Sequence, residues 1–192
     1  MKKTIKTIMN LIMRLFSVPF FFLYQSMALF VNNRKAFSSM MQIVSLFPGI
    51  SGEWIRRGVL QWVTGDRLEN CCISFGCLFS DPELEIGSGV YFGPKCDIGN
   101  VKIDQDCIIG SGVYITSGLH QHIFHNSHIP IRDQGGSFTK IHIGADSWIG
   151  NAAVVSANIG SGCVIGAGSV VIDAIPDLAV AVGNPAKVVR YR

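Results

Sequence analysis

The sequence predicts an all-β parallel solenoid preceded by an N-terminal helical extension. Three observations predict this fold class. From residue 86 onward a bulky apolar residue recurs about every six positions, glycine usually follows it, and residues 1–70 lack this period. Because 48% of the 192 residues are apolar, the chain can form a substantial core, which excludes a disordered chain.

The six-residue period is the strongest pattern in the chain. Its twelve bulky positions are all apolar: Ile86, Phe92, Ile98, Ile103, Ile109, Ile115, Ile143, Ile149, Val155, Ile159, Ile165 and Val171. Glycine follows eight of the twelve. One inward residue per repeat, with glycine where the backbone turns, fits short parallel strands that stack as a solenoid. The shorter intervals after Ile98 and Val155 predict tightened corners or local bulges.

A second inward position lies four residues after a bulky one. It is occupied by small or moderate side chains: Val90, Cys96, Cys107, Val113, Ser147, Ala153, Cys163 and Ser169. Three of the six cysteines fall in this register, and none forms a C-x-x-C pair. We therefore interpret the cysteines as reduced core residues, which is typical of a cytosolic protein.

Residues 1–70 are apolar and basic, with no charge from Leu15 to Asn33 and no acidic residue before Glu53. This pattern allows a spanning helix, a helix in the membrane interface, or a helix docked on the domain. The basic N-terminus favours contact with anionic lipid over nucleic acid. Arg56 and Arg57 are expected on a solvated helix face or a second surface for acidic groups.

Several motifs follow one another in an order that resembles the hexapeptide-repeat acyltransferases. They are Ile73-Ser-Phe-Gly-Cys-Leu-Phe-Ser80, Ile86-Gly-Ser-Gly-Val-Tyr-Phe-Gly93, the histidine-rich stretch from Gly118, Trp148-Ile-Gly150, Ile165-Gly-Ala-Gly-Ser-Val-Val171 and Gly183-Asn-Pro-Ala-Lys-Val-Val-Arg190. The resemblance implies a left-handed parallel β-helix, assembled as a homotrimer with active sites between subunits. It also implies three segments: an N-terminal part over 1–70, a β-helix over 71–182 with an inserted loop at 118–140, and a C-terminal cap that binds coenzyme A over 183–192.

The resemblance is to the branch that acetylates saccharides in capsule, O-antigen or exopolysaccharide biosynthesis, with acetyl-CoA as co-substrate. Such chemistry needs a base for the hydroxyl proton, and histidine has a suitable pKa. Four of the five histidines lie between Gly118 and His128. By the resemblance the base is His120 or His122, depending on the side from which the loop is aligned. His125 and His128 are expected to be surface residues.

The resemblance further implies an acceptor contact at Asp97 and an oxyanion donor in the Trp148–Gly150 turn. The implied cofactor-binding residues follow the groove for coenzyme A: Trp148, Gly150, Asn151, Ala152, Ala167, Gly168, Asn184, Pro185, Lys187 and Arg190. Lys187 and Arg190 can pair with phosphates, while small residues let the pantetheine arm approach the backbone. The C-terminal tail can equally serve to cap the open end of the solenoid.

Three other functions fit the same fold. One is acetylation of serine or another small molecule. A second is a carbonic-anhydrase-like metal site, for which His120 and His125 have a ligand-like spacing but no upstream histidine exists. A third is a non-catalytic scaffold. We expect no metal and no nucleic acid partner, and a cytoplasmic location that includes the inner face of the cytoplasmic membrane.

Overall fold

The computed structural model describes residues 11–12, 14–65 and 68–192. Residues 11–12 and 14–16 are helical, and three longer helices follow among the described residues, which we number α1 (Val18–Ala28), α2 (Asn33–Ser45) and α3 (Gly49–Thr64). Short strands follow: β1 (Cys72–Ile73), β2 (Leu78–Phe79), β3 (Glu85–Ile86), β4 (Tyr91–Phe92), β5 (Asp97–Ile98), β6 (Val101–Ile103), β7 (Ile108–Ile109), β8 (Tyr114–Ile115), β9 (Ile141–Ile143), β10 (Trp148–Ile149), β11 (Val154–Val155), β12 (Val164–Ile165), β13 (Val170–Val171), β14 (Ala179–Val182) and β15 (Lys187–Tyr191).

The strands form a parallel β-helix with three faces, and successive strands pass from one face to the next. The first face has the order β1-β4-β7-β10-β12-β14-β15, the second β2-β5-β8-β11-β13, and the third β3-β6-β9. Isolated bridges from Ile143 to Ile159 and from Ile159 to Ile175 extend the third face. The short intervals after Ile98 and Val155 both fall at the corner between the second and third faces, as tightened corners.

The core is built from the two inward registers that the sequence predicts. All twelve bulky positions are buried, Ile86 being the most exposed at 5%. The eight small positions are buried as well. The six cysteines are free thiols, five of them buried and Cys72 half-buried. Burial raises the pKa of the Cys107 thiol to about 11, and its Sγ donates to the Gly144 carbonyl at 3.2 Å.

The three helices pack together at the N-terminal end of the β-helix. Phe37, Met40 and Met41 of α2 are fully buried, and Tyr24 of α1 contacts the Phe37 ring. The α1 helix is thus docked along one side, which is one of the three arrangements that the sequence allowed. Among the helices that the structure describes, none has both the length and the apolar character needed to cross a membrane. The lysines of the first ten residues lie outside the described residues.

Arg56 and Arg57 correct the expectation of an exposed basic face, because both side chains are buried. The Arg56 guanidinium donates to the carbonyl oxygens of Phe47 at 2.8 Å, Val44 at 3.2 Å and Ile73 at 3.0 Å. Burial lowers the pKa of this guanidinium, against the smaller opposing effect of the nearby Cys77, Glu53 and Cys72 side chains. Arg56 therefore joins the end of α2 to the first coil, satisfying carbonyls that burial would otherwise leave unpaired.

The C-terminus folds back over the last coil. Strand β15 pairs antiparallel with β14, which covers the edge of the first face. Beyond it, the Arg192 guanidinium lies 3.1 Å from a carboxylate oxygen of Asp146 and donates to the Gly162 carbonyl at 3.0 Å.

Candidate active site

The loop between β8 and β9 leaves the β-helix at the corner between the second and third faces. Its two limbs are joined by backbone hydrogen bonds near the base. The N–H of Thr139 donates to the Ser117 carbonyl at 2.9 Å, and the N–H of Ser137 donates to the His120 carbonyl at 2.8 Å. The N–H of Ile123 donates to the Gly135 carbonyl at 2.9 Å further along. The loop is therefore a paired arm with a fixed base.

Gly118 starts the outgoing limb with φ of +86°, a left-handed conformation that glycine adopts without steric cost. A Cβ at this position would overlap the Thr139 side chain on the returning limb. The sequence places glycine here because both the backbone angle and the close approach of the limbs require it.

The four loop histidines lie in two different parts of the arm. His120 and His122 are on the outgoing limb near the base and are exposed to solvent. His125 contacts the Phe124 ring, and His128 lies at the tip, where its N–H donates to the Asn126 side chain at 2.9 Å. The remaining histidine, His142, is on β9, with Nε2 2.8 Å from Asp104 Oδ2. The structure thus places both histidines that could act as the general base near the end of the arm that joins the β-helix.

A cleft of about 300 Å³ lies beside the base of the loop on the second face. Its walls are mostly polar: Ser80, Asp97, Gly99, Tyr114, Ile115, Thr116, Ser117 and Gln121. Partial burial raises the pKa of the Asp97 carboxyl. Gln121, which separates the two candidate bases in sequence, donates to the Gly118 carbonyl at 3.1 Å. Asp97 and the histidine limb therefore share one region.

Tyr114, Thr116 and Ser117 of this cleft were not identified from the sequence. Tyr114 is the outward neighbour of the buried Ile115, so strand alternation could have identified it. The Thr116 hydroxyl donates to the Gly118 carbonyl at 3.2 Å, which only the folded loop reveals.

Six of the residues proposed for coenzyme A stack at the corner between the first and second faces. Asn151 and Ala152, then Ala167 and Gly168, then Asn184 and Pro185 occupy this corner in successive layers. The N–H of Gly168 donates to the Asn151 carbonyl at 2.8 Å, which joins the first two layers. The third layer is joined to the second through the N–H of Ala186, which donates to the Val170 carbonyl at 2.8 Å. We call this edge the small-residue corner.

Gly150 lies at the start of this corner. No side chain fits at its position, because a Cβ would lie 2.5 Å from the Ala167 nitrogen. Lys187 and Arg190 lie on β15 with exposed side chains, and Lys187 Nζ is 3.3 Å from Asp173 Oδ2. Trp148 points outward from the first face and is 52% exposed.

In the Trp148–Gly150 turn, which the sequence analysis proposes as a source of oxyanion donors, two of the three backbone N–H groups already have partners. The N–H of Trp148 donates to the Cys163 carbonyl and that of Gly150 to the Ile165 carbonyl, each at 2.8 Å. Both N–H groups form hydrogen bonds between parallel strands of successive coils. Neither can stabilise an oxyanion unless that hydrogen bond breaks.

The histidine arm and the small-residue corner flank opposite edges of the second face. Gly112 at the corner and Gly118 at the base of the arm are six residues apart, at most roughly 20 Å of extended chain at about 3.3 Å per residue. Within a single chain, the two groups of candidate residues are therefore separated by the width of a face. Among the residues that the structure describes, no group of three His, Cys, Asp or Glu side chains could hold a metal ion.

Comparison with known proteins identifies the repeat. The family model described as hexapeptide repeat of succinyl-transferase matches residues 84–117 and 140–173, which are the segments on either side of the arm. A probable acetyltransferase of Mycobacterium tuberculosis is 34% identical over 134 residues, covering 57% of this chain and 45% of that protein. The chain spans about half the length of the curated relatives it matches.

Two solved structures share the fold. The maltose O-acetyltransferase of Clostridium difficile superposes with a TM-score of 0.70 at 20% identity, covering 84% of this chain and 89% of that one. A galactoside acetyltransferase in complex with coenzyme A gives a TM-score of 0.69 at 23% identity, covering 84% of each chain. Residues 84–117 and 140–173 therefore carry the hexapeptide repeat, and the relatives and fold neighbours named here are acetyltransferases by name. The repeat and these neighbours imply the left-handed winding that the sequence analysis anticipated.

Proposed function

We propose that the protein is an O-acetyltransferase that transfers the acetyl group of acetyl-CoA to a hydroxyl of a saccharide. The observation that carries this proposal is the histidine-bearing arm, fixed at its base beside the Asp97 cleft. The hexapeptide repeat and the acetyltransferase names of the relatives support it.

His120 is the proposed general base. The acceptor hydroxyl oxygen attacks the thioester carbonyl carbon while a ring nitrogen of His120 takes its proton. The tetrahedral intermediate then collapses, the carbon–sulfur bond breaks, and the sulfur leaves with a proton returned by the histidine. A positioned base of this kind contributes roughly 10²- to 10⁴-fold in rate. His122, two residues along the same limb, is the alternative base.

Coenzyme A is proposed to lie along the small-residue corner. Asn151, Ala152, Ala167 and Gly168 offer little side-chain bulk, so an extended pantetheine arm can approach the backbone there. Lys187 and Arg190 are exposed near the same end and would pair with the anionic phosphates. The complex of the galactoside acetyltransferase neighbour with coenzyme A supports the choice of acyl donor.

A homotrimer with the active site between subunits is part of the proposal. One chain holds its histidine arm and its small-residue corner on opposite edges of a face, whereas attack requires reacting atoms about 3 Å apart. A neighbouring copy can bring its corner to the arm. The arm also carries exposed apolar side chains at Phe124, Ile129 and Ile131, which suit an intersubunit contact.

A saccharide suits the cleft because its lining offers hydroxyl, amide and carboxylate groups that bond to sugar hydroxyls. We propose that Asp97 accepts a hydrogen bond from the acceptor, and that the saccharide belongs to capsule, O-antigen or exopolysaccharide biosynthesis on the cytoplasmic side of the membrane. The names of the maltose and galactoside enzymes that share the fold support a sugar acceptor.

Release of free thiol from acetyl-CoA tests this function against a panel of nucleotide sugars, lipid-linked oligosaccharide, maltose and free serine. We expect a saccharide to stimulate release well above the rate with water alone. Stimulation by serine and by no sugar would instead establish the small-molecule alternative, while silence with every acceptor would contradict the proposal.

A further inference from the structure

We infer that the outer side of the N-terminal helix is a docking surface for a membrane rich in anionic lipid. This surface lies on the helical extension and is separate from the proposed acetyl-transfer site. Its first element is an exposed apolar stripe. Leu15 and Phe16, Phe22 and Leu23, and Leu29 and Phe30 form three pairs of exposed side chains.

The spacing of the pairs places them on one side of the helix. Each pair follows the last by seven residues, which is close to two turns at 3.6 residues per turn. The last pair lies in the turn that ends α1, where Leu29 is 82% and Phe30 86% exposed. The first pair lies in helical residues 14–16, just before α1, so exposed leucine and phenylalanine side chains recur from before α1 to the turn that ends it. Isolated exposed apolar residues are common, but pairs that recur on one side over several turns, here with only the exposed Ser26 between the second and third pairs on that side, mark an interaction surface.

The opposite side of α1 is apolar too and already has its partners. Phe20 contacts the Phe47 ring with centroids 5.5 Å apart, and Phe21 contacts Trp62 at 5.7 Å. Tyr24 is buried, and its hydroxyl donates to the Asn33 side chain. Apart from the exposed Gln25 and Ser26, whose hydroxyl donates to the Phe22 carbonyl, α1 is apolar on both sides, and such a helix favours an apolar environment on both. The domain supplies one side, so the stripe requires a second environment.

The turn between α2 and α3 also exposes apolar side chains. Phe47 contacts Phe20 on the packed side of α1. Its neighbours Leu46 and Ile50 are 73% and 65% exposed. These side chains add exposed apolar area to the helical extension outside the stripe.

The charge around the stripe favours a membrane over a second protein. No acidic residue occurs in the first 52 positions. Arg14 lies at one end of the stripe, with its guanidinium 4.2 Å from the centre of the Trp62 ring, and the exposed Lys35 lies beyond the other end. The Arg34 guanidinium already pairs with the Asp81 carboxylate at 3.0 Å, so its charge does not add to this cationic surface. Apolar side chains flanked by cations match acyl chains beneath anionic headgroups.

Vesicle co-sedimentation of the full chain tests this inference. Vesicles would contain phosphatidylcholine alone, or phosphatidylcholine with about 30% phosphatidylglycerol. We expect binding to the anionic vesicles and weaker binding as salt rises, because salt screens the lysine and arginine charges. The double variant Leu29→Ser/Phe30→Ser should bind at least about tenfold more weakly, since each buried side chain of this size contributes a tenfold effect or more. Lys35→Gln should weaken binding to the anionic vesicles alone.

Leu178→Ser is the matched control, because Leu178 is an exposed leucine on the last coil, far along the solenoid from α1. This variant should bind vesicles as the unaltered chain does. Phe22→Ser provides an independent variant of the stripe, should the double variant fail to fold. Unchanged binding in both stripe variants, or equal binding to both kinds of vesicle, would overturn the inference. A change of oligomeric state in the stripe variants without lipid would also overturn it, because the stripe would then cover a second copy of the chain.

Discussion

The backbone N–H of Ser137 donates to the carbonyl of His120 at 2.8 Å, which ties the proposed catalytic limb to the returning limb of the arm. The main chain of His120 is therefore fixed while its ring stays free to reach a substrate. Further along the arm, the amide of Gln134 forms hydrogen bonds with Asn126 and with the Ile129 carbonyl. The arm is thus ordered by its own backbone and amides rather than by its histidines, so single histidines can be replaced without unfolding it.

Replacing His120 by alanine should reduce acetyl transfer by about 10²- to 10⁴-fold, because the base is lost. The oligomer and the unfolding temperature should stay unchanged, since the His120 ring is exposed. The measurement is kcat from thiol release. His128→Ala is the matched control, from the tip of the same arm, and should keep normal turnover. Normal turnover in His120→Ala together with loss in His122→Ala would move the base to His122.

Gly118→Ala should impair activity while leaving the β-helix folded. The added Cβ would overlap the Thr139 side chain at a φ of +86°, so the base of the arm must shift and carry His120 with it. Gly49→Ala serves as the control, because Gly49 has a similar φ of +65° but open space around a Cβ. Circular dichroism and kcat together check this prediction. Equal activity in the two variants would show that the arm does not depend on this contact.

Mixed trimers should regain activity if the site lies between subunits. Ala167→Trp places a large ring on the small-residue corner and should block coenzyme A, while His120→Ala removes the base. Trimers of either variant alone should be inactive. Co-expression of the two in equal amounts should restore about a quarter of the normal activity, because one site in four then combines an intact arm with an intact corner.

No recovery in trimers proven to be mixed would place the arm and the corner of one site in the same chain. The composition of the trimers can be checked by mass spectrometry with different affinity tags on the two variants.

Cys107 should make the fold less stable at alkaline pH. Burial raises the pKa of its thiol from 9.0 to about 11, so the folded chain favours the neutral form. Its contribution to stability is complete below the ordinary thiol pKa and is lost as the pH rises through about 11. At about 1.4 kcal/mol per pKa unit, the loss is up to about 3 kcal/mol.

Cys107→Val is the informative variant, because Val90 occupies the same inward position one coil earlier. Denaturant unfolding of the two proteins at pH 8 and near pH 11 measures the difference. The valine variant should lose less stability over this range than the unaltered chain. An equal loss in both would mean that another group causes the alkaline destabilisation.

The β-helix could be predicted from the sequence because its core repeats locally. Residues such as Ile109 and Cys107 have their environment set by the six-residue period alone, so their burial follows from the pattern. Arg56 could not be placed in this way, because its three carbonyl partners come from α2, the turn after it and the first coil. A buried guanidinium depends on tertiary contacts that carry no periodic signal.

The position of the candidate site could be predicted from the sequence, but its hydrogen bonds could not. Glycine, histidine and polar residues in one interruption of the repeat located the arm. The partners of the Trp148 and Gly150 N–H groups could not be predicted, because the use of each backbone N–H depends on the register of the next coil. The cleft residue Thr116 was missed for a related reason, since its hydroxyl bonds to the Gly118 carbonyl only once the loop has folded.

Direct detection of the acetylated product tests the central claim. The chain would be incubated with acetyl-CoA and the saccharide that stimulates most thiol release, and the product analysed by mass spectrometry with mild alkaline hydrolysis. We predict one added acetyl group per acceptor, lost on hydrolysis as expected for an ester, and absent with His120→Ala. Thiol release without an acetylated saccharide, or a product resistant to alkali, would contradict acetyl transfer to a sugar hydroxyl.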